Sequence, residues 1–186
     1  AAGGVKYIPY YSDEKNKTFI KELCEQLADP ERILPGGYIY MSDILGDPKQ
    51  VRQIGHIFAS AFSKLDIDVV VTVATKGIPL AYAVGALLNT PVVIVRRDPK
   101  VTEGSSVSIN YVSGSSRKIQ TMVLPKRSLK EGANVCIVDD FMKAGGTING
   151  ITNLLKEFDA KVKAIGVLAE ADDEEEDRVV DDYISL

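Results

Sequence analysis

The chain has 186 residues, 45% of them hydrophobic and 26% charged, a balance that supports a sizeable core and excludes a wholly disordered polymer. With 22 Lys and Arg against 26 Asp and Glu the formal charge is -4, so no global basic field exists to neutralise a nucleic-acid backbone. Cys24 and Cys136 are the only cysteines, which argues against a disulfide scaffold or a cysteine metal cluster and fits a reducing cytoplasm. Apolar runs such as Val69 to Ala74 fall far short of a membrane span, and no secretory signal is recognisable at the start.

From Asp13 to Ala28, Phe19, Ile20, Leu23 and Leu27 return at helical spacing, and Asp29-Pro30 predicts the end of that helix. Tyr38, Ile39 and Tyr40 follow Pro35-Gly36-Gly37 and predict a short extended piece. Asp47-Pro48 opens a second helix whose apolar stripe is Val51, Ile54, Ile57, Phe58, Ala61 and Phe62. His56, the sole histidine, lies at the edge of that stripe and reads as a surface or packing residue. A histidine zinc cluster is thereby excluded, and a Ser-His-Asp triad would depend on this one helical residue.

Beyond Leu65 the pattern alternates. Strands are predicted over Ile67 to Ala74, Pro91 to Val95, Asn134 to Val138 and Val162 to Leu168, with helices over Pro79 to Leu88 and Thr147 to Phe158. Apolar, β-branched strands joined by amphipathic helices define an α/β fold with a mostly parallel sheet covered on both faces. The segment from Arg96 to Leu129 breaks this rhythm with two strand-like stretches, Ser106 to Tyr111 and Lys118 to Leu124, around a Gly- and Ser-containing connection. A flexible hairpin inserted at the sheet edge accounts for both. The expected division is an N-terminal helical and short-strand segment, 1–64, packed on a core, 65–186, that carries the insertion at about 96–129. Six consecutive acids, Asp172 to Asp177, predict a solvated loop, and Val179 to Leu186 reads as a helix. That helix and the absence of Met before Ala1 predict a natural chain extending past both ends.

Chemistry concentrates in Val135-Cys136-Ile137-Val138-Asp139-Asp140-Phe141-Met142-Lys143-Ala144-Gly145-Gly146-Thr147. Four apolar residues supply a buried strand, and two acids follow where α/β proteins place their ligands. Alternation sends Asp139 and Asp140 in different directions, to grip neighbouring hydroxyls, or with one steadying the loop while the other meets a ligand. The glycines permit a tight turn, Thr147 is expected to cap the next helix, and the N–H groups of residues 143–147 can face an anion beside the Lys143 charge. Carboxylates for hydroxyls and backbone donors for phosphate describe a phosphorylated-sugar pocket; a ligand-free strand, turn and capped helix is the plainer alternative.

This stretch resembles the phosphoribosyl diphosphate signature of the type I phosphoribosyltransferases. Within that family the likeness extends across most of the chain to the purine operon regulators, through Tyr38 to Tyr40, Ala74 to Pro79, Val101 to Ser116 and Asp139 to Thr147. The resemblance implies that Lys143, Ala144, Gly145, Gly146 and Thr147 cradle a 5′-phosphate and that Asp139 and Asp140, followed by Phe141 and Met142, engage ribose hydroxyls. It also implies that Ala74, Thr75, Lys76 and Gly77 form a diphosphate loop, with Arg96 and Arg97 as reserve cations and Tyr38 covering the site. The implied effector is 5-phosphoribosyl 1-diphosphate, with Mg2+ carried by the ligand's own oxygens and with purine nucleotides bearing diphosphate groups as competitors. A homodimer is implied, as is DNA binding in the full-length protein through an N-terminal winged-helix domain outside this chain, with no membrane partner.

Departures from the catalytic pattern set the functional expectation. Lys143 and Ala144 stand where catalytic relatives commonly carry a small residue and then a hydroxyl residue, and no hood with a dedicated set of polar contacts to an acceptor base is recognisable. The leading expectation is a non-catalytic effector domain of a transcriptional regulator. A purine or xanthine phosphoribosyltransferase and a dimerisation domain with a vestigial pocket are the alternatives.

Overall fold

The computed structural model describes residues 13–98, 104–112, 119–171 and 180–186. Chain order begins with α1 (Asp13–Leu27), a single 3-10 turn (Pro30–Arg32), and a small hairpin of β1 (Ile33–Leu34) and β2 (Tyr38–Ile39). α2 (Ser42–Gly46) and α3 (Pro48–Phe62) follow. The carboxylate of Asp47 accepts from the Lys49 N–H at 2.9 Å and Pro48 occupies the first turn, so α3 starts where the sequence predicts. β3 (Val69–Val73), α4 (Ile78–Leu88) and β4 (Val92–Val95) form the first crossover unit, then β5 (Ser106–Val112) and β6 (Ile119–Pro125) make the inserted hairpin. β7 (Asn134–Met142), α5 (Gly146–Lys156), β8 (Lys161–Glu170) and β9 (Ile184–Ser185) complete the described chain.

The main sheet has the order β4-β3-β7-β8-β9, and every neighbouring pair is parallel. Two apolar layers cover it, and strand alternation assigns residues to them. Val69, Val71, Val135 and Ile137 face α5 and the hairpin together with Ile148, Ile151 and Leu154. Val70, Cys136 and Val138 face the other way, onto Ile54, Phe58, Leu80 and the α1 residues Phe19 and Leu23. Burial pushes the Cys136 thiol up to about 12, so it behaves as an inert core residue. In α3, Ala59 is buried and Ala61 exposed, so Ala59 takes the place in the buried stripe predicted for Ala61.

The predicted hairpin is present as an antiparallel ladder from Ser106↔Pro125 to Val112↔Ile119. It joins the sheet edge through reciprocal backbone hydrogen bonds between Arg96 and Val123, 3.1 and 2.7 Å long. Its connecting residues 113–118, and the acidic run 172–177, lie outside the described residues. Two predictions need correction. β7 continues through both acids to Met142 instead of ending at Val138, because its partner β8 runs alongside as far as Glu170 and satisfies the backbone. Residues 184–185 form a strand on β8, not a helix, and Val180 and Tyr183 pack on the core beneath it. An open sheet edge offers unpaired N–H and C=O groups, which here outweigh the local helical pattern.

Candidate functional site

The two acids diverge as side-chain alternation requires. Asp139 is 4% exposed and points into the protein, whereas Asp140 is half-buried. The Asp140 N–H donates to Asp139 Oδ1 at 3.0 Å, tying the buried carboxyl to its neighbour's backbone. Burial raises the Asp139 carboxyl well above the ordinary range, and the charge of Asp140 pushes it further in that direction. Burial raises Asp140 also, opposed by a hydrogen bond from Asp139 and by the Lys76 charge. Asp139 is therefore the buried partner whose ionisation is the more strongly opposed, and Asp140 the more exposed carboxyl of the two.

Both acids border a cleft of about 250 Å³. Its other walls are Ala74, Thr75 and Lys76 after β3, the run from Phe141 to Ile148, Arg97 beyond β4, and Tyr38 from the small hairpin. Every sequence-predicted site residue except Gly77 lines this space. Gly77 lies beneath it: a methyl group there would fall 2.3 Å from Thr72 Oγ1 and 2.8 Å from Asp139 Oδ1, so only glycine fits. Of the two candidate arginines, Arg97 borders the cleft, while Arg96 lines an adjoining cavity with Lys76 and Asp98. The Ala74–Thr75 peptide is cis.

The start of α5 differs from expectation. Gly145, at φ 79°, takes the capping position, and Thr147 sits within the first turn. Gly145 has no side chain with which to cap that end, so the first N–H groups of α5 are directed to the cleft beside Lys143, an arrangement suited to an anion. Lys76 and Arg97 supply positive charge elsewhere on the wall, and Asp140 supplies an acceptor for hydroxyls. The donor set thus fits a phosphorylated sugar carrying a second anionic group. Among the described residues no group of three His, Cys, Asp or Glu side chains could hold a metal ion.

Tyr38 is 41% exposed and its ring centroid stands 6.1 Å from that of Phe141, at an interplanar angle of 49°. Its hairpin is held from behind by Arg32, whose Nη1 donates to the Tyr40 carbonyl at 3.0 Å and to Asp43 Oδ1 at 2.8 Å. Nη2 completes a two-point grip on Asp43 at 2.6 Å, which holds that carboxyl down at about 2. Sequence reasoning passed over Arg32 and Asp43, because an 11-residue separation crossing two elements leaves no periodic signal. Thr72 was passed over as well. Its one visible trace is a hydroxyl in the otherwise all-valine strand Val69-Val70-Val71-Thr72-Val73.

The phosphoribosyl transferase domain family matches residues 41–185. Adenine phosphoribosyltransferase from Saccharomyces cerevisiae, complexed with D-2,5-dideoxy-2,5-imino-altritol 1,6-bisphosphate and adenine, superposes with a TM-score of 0.72 at 21% identity, covering 84% of this chain and 90% of that one. The fold is that of a phosphoribosyltransferase-type domain, and the chain belongs to that family. The purine biosynthesis transcriptional repressor PurR of Bacillus subtilis (strain 168) is 64% identical over the whole chain, which spans 65% of the repressor. The purine biosynthesis transcriptional activator PurR of Lactococcus lactis subsp. lactis (strain IL1403) is 52% identical over 99% of the chain, which spans 68% of the activator. The chain belongs to this family of purine biosynthesis transcriptional regulators, and it spans about two thirds of their length.

Proposed function

We propose that this chain is the effector-sensing domain of a cytoplasmic purine-operon regulator, binding 5-phosphoribosyl 1-diphosphate without turnover. One observation carries the reading. A single cleft combines an uncapped helix start, three cations and an outward-facing carboxylate, while its phosphate loop holds Lys143 and Ala144 in place of the hydroxyl common in catalytic relatives. The 5′-phosphate would sit at Lys143 to Thr147, ribose hydroxyls at Asp140, and the diphosphate by Thr75, Lys76 and Arg97. Mg2+ carried by the ligand would offset part of the diphosphate charge beside Lys76 and Arg97, and purine nucleotides with diphosphate groups would compete for the same cleft. The kinship to repressors and activators supports coupling of this site to DNA binding by a separate segment of the full protein, and a homodimer as the acting unit.

The test is isothermal titration calorimetry of the chain with 5-phosphoribosyl 1-diphosphate and Mg2+, with ligand turnover followed in the presence and absence of purine bases. Saturable binding without turnover is expected. Base-dependent release of diphosphate would establish a transferase instead, and no binding to a folded chain would leave a dimerisation domain. In the full-length regulator, operator affinity unchanged at saturating ligand would overturn the regulatory coupling.

A further inference from the structure

The interior side of the cleft holds a polar group with no part in the arrangement above. Thr72 is 0% exposed in the central strand β3, and its Oγ1 has no hydrogen-bond partner. Leaving a hydroxyl buried and unpaired is costly, and the isosteric valine occupies the positions on both sides of it in this strand. Its location gives the reason for its presence. Thr72 Oγ1 and Asp139 Oδ1 both lie within 2.8 Å of one point above the Gly77 Cα, the place a methyl group would fill. Gly77 ends the loop whose other residues line the cleft, and Asp139 is bonded to the backbone of the outward-facing Asp140. The Ala74–Gly77 loop, the acid pair and an unpaired hydroxyl meet at this point.

We propose that Thr72 is a positioning residue of the effector site, donating its hydroxyl proton to the Asp139 carboxylate across the face of Gly77 whenever that carboxyl ionises, with or without ligand in the cleft. The inference rests on the effector reading above and adds a residue outside the cleft to it. Among the described residues, the backbone donor recorded at Asp139 is the Asp140 N–H. A ligand whose hydroxyls donate to Asp140 offsets the negative charge that opposes ionisation of Asp139. Thr72 then supplies the second donor that a buried carboxylate needs. Because Oγ1 also abuts Gly77, the same bond fixes the end of the Ala74–Gly77 loop relative to β7. Ligand contacts on the two walls are thereby linked through one hydroxyl.

The discriminating experiment compares wild type, Thr72→Val and Thr72→Ser by thermal melting without ligand, by calorimetry with 5-phosphoribosyl 1-diphosphate and Mg2+, and by carbon-13 NMR titration of the Asp139 carboxyl in the ligand-free chain. Asp140 and Arg97 are the charged groups acting on Asp139, and Lys76 acts on Asp140; none of them is altered in these variants. Thr72→Val should melt higher than wild type yet bind about tenfold more weakly, the loss of one hydrogen bond to a charged group. Thr72→Ser should return affinity towards wild type. The Asp139 midpoint should move up in Thr72→Val, because the ionised form has lost an available donor. A merely structural threonine would change the melting temperature and leave affinity and midpoint alone, which overturns the inference. If wild type itself fails to bind, the effector reading falls, and the ligand-free titration still decides: an unmoved Asp139 midpoint overturns the Thr72 link, and a raised one upholds it.

Discussion

The ring of Tyr111 lies directly on the backbone of Gly150, where an added methyl group would come within 2.9 Å of the ring Cγ. This contact seats the inserted hairpin on α5, with the Tyr111 hydroxyl donating to Gln120 Oε1 at 2.8 Å across the ladder. Gly150→Ala must displace either the ring or the helix. Overpacking of this kind should cost about 1–3 kcal/mol. Chemical denaturation should read that loss, with the hairpin amides, including Tyr111, showing the largest rise in hydrogen exchange.

Asp140→Ala should weaken binding of 5-phosphoribosyl 1-diphosphate at least tenfold, a loss of about 1.4 kcal/mol, with melting temperature maintained. Asp140 is the outward member of the pair and half-buried at the cleft wall, so its removal leaves the core intact. A folded variant with wild-type affinity in calorimetry would remove this carboxylate from the list of ribose contacts.

Asp139→Asn should stabilise the ligand-free chain at neutral pH. The folded state keeps the Asp139 proton above the range in which the unfolded chain releases it, so between those limits the native state binds more protons and stability falls as pH rises. The favourable contribution is full below the unfolded carboxylate range, about pH 3.9, and is lost as pH climbs through the raised native value. Asparagine keeps the oxygen that accepts from the Asp140 N–H and carries no charge to bury. Melting curves at pH 5 and pH 8 should therefore differ less for the variant than for wild type.

Lys143→Ala should lower effector affinity through lost electrostatic attraction at the phosphate loop. The gap between variant and wild type should narrow as salt rises, because mobile ions screen a charge at the mouth of an open cleft. Calorimetry at low and high sodium chloride gives the comparison; an identical gap at both would place Lys143 in a non-electrostatic role.

Arg32→Ala should release the small hairpin that carries Tyr38. The guanidinium loses its two-point grip on Asp43 and its bond to the Tyr40 carbonyl. Asp43 is substantially exposed, so global stability should change little. Hydrogen exchange at the Tyr40 amide, which bonds the Arg32 carbonyl at 2.8 Å, should accelerate, and effector affinity should fall a few-fold as Tyr38 loses its station by Phe141.

Much of the fold is legible because alternation is a local property. Val69 to Val73 and Asn134 to Val138 are apolar on both sides, which is the signature of strands covered on both faces, and Asp47-Pro48 marks the start of α3 without reference to anything distant. The proposed phosphate loop is legible for the same reason: acids, glycines and the following helix are contiguous, so their spacing alone predicts an anion site. Thr147 misled because a hydroxyl at a helix start usually caps, whereas Gly145 could take the positive φ that the sharp turn requires.

Sequence alone thus determined the parallel α/β frame, the acid pair and its loop, and the departure at Lys143-Ala144 that favours sensing over turnover. Only the tertiary structure decided which acid is buried, that Arg97 borders the cleft, that residues 184–185 extend the sheet, and that Thr72, Gly77 and Asp139 share one close-packed junction. The physical reason is range. Propensity and periodicity act over a few residues, whereas burial, edge pairing and the convergence of Thr72 with Asp139 depend on strands 66 positions apart being hydrogen-bonded side by side, as Val69 and Val70 are to Val135 and Cys136.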